Sequence, residues 1–120
     1  NAFIVHSEDG MDEISPFAKT KIVELNNGNI KSFFINPADL KITNKNQENL
    51  KGKNAVYNAQ KIIDIFKGED SEFSDSVALN VAAGLIILNK ENNFKKAFEF
   101  SKQHLKSSKV YEHLQKIQAI

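Results

Sequence analysis

The 120-residue sequence contains no cysteine, which excludes a disulfide framework and any thiolate-held metal. It contains no arginine either, since all 16 basic residues are lysine. Bidentate recognition of phosphate or of base edges favours the guanidinium fork, so its absence argues against such recognition within this segment. Long apolar runs are also missing. The longest, Val81 to Leu88, is far shorter than the ~20 residues that a membrane-crossing helix needs. No signal-peptide pattern is visible, and cytoplasm is the expected compartment. With 15 acidic residues the net charge is +1, so no overall field draws in nucleic acid or an acidic membrane.

What is present is ordinary globular material. At 41% hydrophobic and 26% charged residues, the chain falls among folded rather than disordered sequences. It reads as one domain or a piece of one, long enough to bury roughly two-thirds of its unfolded surface. Its only methionine is Met11. That suggests an excised segment, with Asn1-Ala2 as an expression scar.

Residues 2–6 read as a strand, and the unbroken apolar run Phe3-Ile4-Val5 suits one buried on both faces. Residues 20–25 and 30–35 follow as strands around Asn26-Asn27-Gly28-Asn29. Asn-Gly is the preferred pair for a tight hairpin, because both central residues can take positive φ. Residues 36–53 read as loop, with a helical turn near Pro37 to Leu40. Everything beyond is helical. Ala55, Ala59, Ile62, Ile63 and Phe66 share a 3.6-residue period that Gly68 stops. Ser74 is the expected N-cap of a second helix with an inward stripe of Val77, Val81, Leu85 and Leu88, interrupted by Asn80 and Gly84. Asn93 caps a third, which turns Phe94, Ala97, Phe98, Ser101 and Leu105 inward. Val110, Leu114 and Ile117 mark a fourth after Ser107-Ser108. The segment therefore reads as α+β: a strand and a β-hairpin over 1–53, then four helices over 54–120.

The feature that carries chemistry is Asp9-Gly10-Met11-Asp12-Glu13, directly after the first strand. Ligands of open α/β folds bind beyond the carboxyl ends of strands. Adjacent carboxylates there suit a hard cation such as Mg²⁺, which is held by one or two carboxylates plus substrate phosphates. Taken alone, such a pair is more often solvated surface charge or a helix N-terminal acid pair. Asp9 reads as a turn former beside Gly10. His6, at the strand end, is a weak substrate-contact candidate and more often a hydrogen-bonded structural residue. His104 and His113 fit no zinc spacing. Asn58 and Asn80 are expected to hydrogen-bond loop backbone.

Val5-His6-Ser7-Glu8-Asp9-Gly10-Met11-Asp12-Glu13-Ile14-Ser15 resembles the Val-His-Gly-x-Asp-Gly-Leu-Asp-Glu segment of anthranilate phosphoribosyltransferases. The resemblance continues through Thr20-x-x-Val23-Glu24-Leu25, Asn27-Gly28, Pro37-Ala38-Asp39-Leu40, Leu50-x-Gly52, Asn58-Ala59, Gly68 and Leu79-Asn80-x-Ala82-Ala83. It covers nearly the whole chain in order. Ser7 departs from the family's Gly, Met11 from its Leu, and Lys53 breaks a Gly-Gly pair.

The resemblance implies the carboxyl-terminal portion of an α/β parent fold of the nucleoside phosphorylase and phosphoribosyltransferase type, usually homodimeric. It further implies transfer of the phosphoribosyl group of phosphoribosyl pyrophosphate to anthranilate in tryptophan biosynthesis. Asp12 and Glu13 would hold Mg²⁺ on the pyrophosphate. The family's glycine-rich pyrophosphate loop and its other catalytic parts would lie upstream, so this segment alone is expected to be inactive. The rival readings are a related phosphorylase-fold or nucleic-acid-binding paralogue, and a small non-catalytic interaction domain. A nucleic-acid binder would need a clustered cationic surface, which the balanced charge does not suggest.

Overall fold

The computed structural model describes residues 1–43 and 46–120. Asn44 and Lys45, within the loop expected over 36–53, lie outside the described residues. Three strands, β1 (Ala2–Ser7), β2 (Thr20–Asn26) and β3 (Asn29–Ile35), form one antiparallel sheet in the order β1-β2-β3. The register pairs Val5 with Ile22 and Ile22 with Phe33. The hairpin turns at Asn27 (φ 49°) and Gly28 (φ 83°), the two positive φ values that make Asn-Gly the suitable pair.

Strand alternation sends Phe3, Val5, Ser7, Thr20, Ile22, Phe33 and Ile35 toward the helices. Ser7, Thr20 and Ile22 are fully buried there, and Phe3 meets Phe33 edge to face at 5.9 Å. The opposite face carries Ala2, Ile4, His6, Ile30 and Phe34 outward. The expectation that β1 is buried on both faces is therefore corrected, because Ile4 is 71% exposed. A continuous apolar run reports two apolar faces, and only one of them is covered here.

Past β3, Pro37–Leu40 forms the expected helical turn, of the 3₁₀ type, with Asn36 Oδ1 accepting from the Ala38 amide. A second 3₁₀ turn at Gln47–Leu50, capped by Asn46, was not anticipated. Four α-helices follow among the described residues: α1 (Ala55–Phe66), α2 (Glu72–Ile87), α3 (Phe94–Lys106) and α4 (Lys109–Gln118). Asn54 and Asn93 cap α1 and α3 by accepting from the Tyr57 and Lys96 amides. Gly68 ends α1 at φ 99°.

The start of α2 differs from expectation. Its N-cap is Ser71, one turn earlier than Ser74. The Ser74 hydroxyl instead accepts from the Ser71 amide, so the sequence holds two cap candidates three residues apart and the earlier one gains the extra turn. The inward stripe of α2 is corrected as well. Ala78, Leu79, Ala82 and Ala83 are buried, whereas Val81 is 48% and Leu88 66% exposed. Small residues let α2 approach α3 and β1 closely; of the expected stripe, Val77 and Leu85 do pack against the core, and Val81 and Leu88 turn away. In α1, Ile65, outside the expected stripe, is buried and Ile62 is exposed, while Phe66 packs against the core as expected. The reading of α3 holds, with Ala97, Phe98, Ser101 and Leu105 all buried. Helix α4 buries no residue fully; Val110 packs against the core, and Ile117 stays in solvent.

The core thus joins Ile14, Ile22 and Ile35 of the strand half to Leu79, Phe98 and Leu105 of the helical half. Full burial of one such aliphatic side chain contributes about 1.5–3 kcal/mol. A charged cluster fastens α2 to α3: Lys102 Nζ lies 2.5 Å from Asp70 Oδ1, 2.6 Å from Asp75 Oδ1 and 2.9 Å from Ser74 Oγ.

Candidate functional site

The loop between β1 and β2 is held at its neck, its middle and its far end. At the neck the Glu8 amide donates to the Lys19 carbonyl at 2.9 Å, and the Gly10 amide donates to the Ser7 carbonyl at 3.0 Å. In the middle Asp9 gathers three donors. Ser7 Oγ donates to its Oδ1 at 2.5 Å, the Met11 amide to the same oxygen at 3.3 Å, and Ser15 Oγ to Oδ2 at 2.6 Å. The far end is tied to α2, where Asn80 Oδ1 accepts from the Ile14 amide at 3.1 Å.

Ser15 is the hub that sequence reasoning passed over. It is fully buried, its hydroxyl accepts from the Phe17 and Ala18 amides, and its own amide donates to Thr20 Oγ1. The signal was Ser15-Pro16, a local side-chain-to-backbone turn of the kind that serine favours. Asp9 does form the turn as read. The structure adds that its carboxyl is held below the ordinary range. Burial acts to raise it, but the hydrogen bonds from Ser15, Ser7 and the Met11 amide to the ionised form outweigh that. The Ser7 hydroxyl, at the position where the family-like segment has Gly, is thereby used as one of these donors.

Asp12 and Glu13 stand between the Asp9 staple and the Asn80 tie. Both are exposed, and neither makes an ion pair or side-chain hydrogen bond among the described residues. Their carboxylate oxygens are therefore available at the tip of an anchored loop. A groove of about 280 Å³, lined by Glu8, Lys19, Phe34, Asn36 and Asp39, opens at the base of that loop.

No group of three or more His, Cys, Asp or Glu side chains among the described residues is placed to enclose a metal. The pair alone fits a cation that keeps its waters and takes one or two protein carboxylates, which is the habit of Mg²⁺. His6 does not join the pair. It lies on the outer sheet face, opposite Lys21, is exposed and makes no side-chain hydrogen bond among the described residues, so the reading of a side chain held by hydrogen bonds is corrected. His104 is exposed and stacks on Phe100 at 6.0 Å; His113 is exposed on α4. The asparagines behave as anticipated: Asn58 Oδ1 accepts from the Lys53 amide at 2.9 Å, and Asn80 holds the acidic loop.

An antiparallel α+β segment that presents an anchored acidic loop agrees with what sequence comparison finds. The glycosyl transferase family, a/b domain, matches residues 1–111, and the chain belongs to that family. Among curated relatives it is 48% identical over 119 residues to an anthranilate phosphoribosyltransferase of Pelagibacter ubique, covering 99% of this chain and 36% of that protein. It is 40% identical over 111 residues to one of Caldanaerobacter subterraneus subsp. tengcongensis, covering 92% and 33%. The crystal structure of anthranilate phosphoribosyltransferase from Thermus thermophilus superposes with a TM-score of 0.83 at 27% identity, over 96% of this chain and 34% of that one. The chain spans about a third of the length of the curated relatives it matches.

Proposed function

We propose that this chain serves as the carboxyl-terminal part of an anthranilate phosphoribosyltransferase of tryptophan biosynthesis, cytoplasmic and homodimeric in its complete form. The observation that carries this reading is a coincidence of two facts. Identity of 48% to a protein so named runs over 119 residues, and the acidic pair that the resemblance assigns to Mg²⁺ is solvent-facing and unpaired among the described residues. Surface charge with no purpose would need no staple on both sides.

In the proposed reaction the bond between ribosyl C1 and a pyrophosphate oxygen breaks, the anthranilate nitrogen bonds to C1 and gives up a proton, and pyrophosphate departs. Bound Mg²⁺ supplies stabilisation of the charge that builds on the leaving group. Asp12 and Glu13 would hold it, and no lysine among the described residues pairs with them beforehand. Asp9 and Asn80 keep the loop from collapsing onto the sheet end.

The test is an assay of the complete polypeptide with phosphoribosyl pyrophosphate, anthranilate and Mg²⁺. Loss of anthranilate matched one for one by pyrophosphate is expected. Pyrophosphate release that ignores anthranilate, or no turnover at all, contradicts the reading. The 120 residues alone are expected to turn over nothing.

A further inference from the structure

Asn80 sits mid-helix in α2, a position that asparagine disfavours because its side chain competes with the helix backbone. Here every polar atom of that side chain is in use. Nδ2 donates to the Ser76 carbonyl one turn back at 2.8 Å and reaches the Ile14 carbonyl at 3.4 Å, while Oδ1 accepts from the Ile14 amide at 3.1 Å. The orientation of the amide is thus fixed, with nitrogen against two carbonyls and oxygen against one N–H. Ile14 is fully buried and follows Glu13 directly, so water has poor access to replace these bonds.

We infer that Asn80 is a positioning residue of the acidic loop: by clamping both backbone groups of Ile14 from α2 it fixes where the Asp12 and Glu13 carboxylates stand. This rests on the reading of that pair as the Mg²⁺ anchor. Among the described residues the pair has no side-chain support of its own, and the Asp9–Ser15 staple grips the loop on either side of the two acids without touching them. The clamp at Ile14 is the contact nearest in sequence to Glu13. It also makes the loop's setting depend on α2, a helix that Lys102 ties to α3 through Asp70 and Asp75. Only an amide satisfies the three partners. Leucine, of similar size, leaves both Ile14 groups unpaired, and aspartate turns a carboxylate oxygen onto two carbonyls.

The experiment uses the complete polypeptide and two readouts: the Mg²⁺ concentration giving half-maximal rate, and binding of Mn²⁺ with pyrophosphate followed by electron paramagnetic resonance without turnover. Groups that orient metal ligands typically change metal affinity by about 10–100-fold when removed. Asn80→Leu is expected to raise the Mg²⁺ requirement about tenfold and to weaken Mn²⁺–pyrophosphate binding by a similar factor. Gly68→Ala, which strains α1 far from the loop in sequence, lowers stability but leaves both readouts unchanged.

A folded Asn80→Leu protein with wild-type values in both readouts overturns the inference. If Asn80→Leu does not fold, Asn80→Asp decides by the same readouts: a raised requirement supports the clamp, and wild-type values overturn it. Asp12→Asn separates the two levels. If Asp12→Asn weakens Mn²⁺–pyrophosphate binding and Asn80→Leu does not, the clamp alone fails. If neither does, the metal reading fails and the clamp falls with it.

Discussion

Ser15 Oγ donates to Asp9 Oδ2 at 2.6 Å and closes the loop that carries Asp12 and Glu13. Because Ser15 is fully buried, this bond joins the loop to the core. The loop can therefore project two carboxylates that are unpaired among the described residues without being loose itself.

Removing that donor moves the Asp9 titration. Ser15, Ser7 and the Met11 amide together hold the Asp9 carboxyl low against the opposing effect of burial. Ser15→Ala is expected to raise the Asp9 pKa and to cost about 1–3 kcal/mol, the usual penalty for leaving a buried polar group unpaired. Carboxyl-carbon NMR titration reads the first effect and chemical denaturation the second. An unmoved Asp9 titration contradicts the staple.

Acid sensitivity follows from Asp70. Hydrogen bonds from Lys102 and then Lys106 hold its carboxyl at about 2. A carboxylate whose pKa is lower folded than unfolded stabilises the fold above its unfolded value, near ~3.9, and that contribution is lost as pH falls toward about 2. Asp70 is 54% exposed in its side chain, so solvent screening keeps the effect modest. Asp70→Asn should lower Tm at neutral pH and flatten its fall between about pH 4 and pH 2. A parallel curve, merely displaced, would show that Asp70 contributes nothing titratable.

The strand half was legible because its signals are local. Asn27-Gly28 announces a turn that only positive φ allows, and the Asn93 cap with its following stripe fixes α3. What misled were the larger apolar residues of α1 and α2. Val81 and Leu88 look like core by type, yet Ala78 and Ala82 occupy it, since close helix contact selects for small size as well as apolarity. Ser74 was the expected cap, yet Ser71 three residues earlier takes that place, and only the packed start of α2 shows it. At the site, the hydrogen bonding of Asn80 to loop backbone was legible from its place on an otherwise apolar helix, whereas Asp12 and Glu13 were singled out by the family resemblance. The Ser15 hub could not be read with the same assurance, because its partners Asp9 and Thr20 meet only when the loop closes.

Gly68 tests the junction of α1 and α3. Its φ is 99°, and an added Cβ would stand 3.2 Å from the Lys106 carbonyl oxygen. Backbone strain of this type costs about 1–2 kcal/mol, before the backbone contact is counted. Gly68→Ala should lower Tm clearly, as measured by thermal unfolding. An unchanged Tm would mean that the turn adopts another conformation.

The outer face of the sheet leaves Ile4, Ile30 and Phe34 exposed, and an apolar groove of about 450 Å³ is lined by Phe66, Val77, Val81, Leu85 and Phe100. Contiguous apolar surface of this kind drives association. The 120-residue chain on its own is expected to self-associate as concentration rises, and Ile30→Lys with Phe34→Lys should reduce that. Light scattering that shows a clean monomer at high concentration contradicts the expectation.

The most direct test of the whole account is Asp12→Asn in the complete polypeptide, assayed for anthranilate consumption across a range of Mg²⁺ concentrations. Loss of one electrostatic contributor to a transition state is worth roughly 3–4 kcal/mol, so turnover should fall on the order of a hundredfold or more. An Asp12→Asn enzyme as active as the wild type at every Mg²⁺ concentration would contradict the assignment of the acidic loop to the metal.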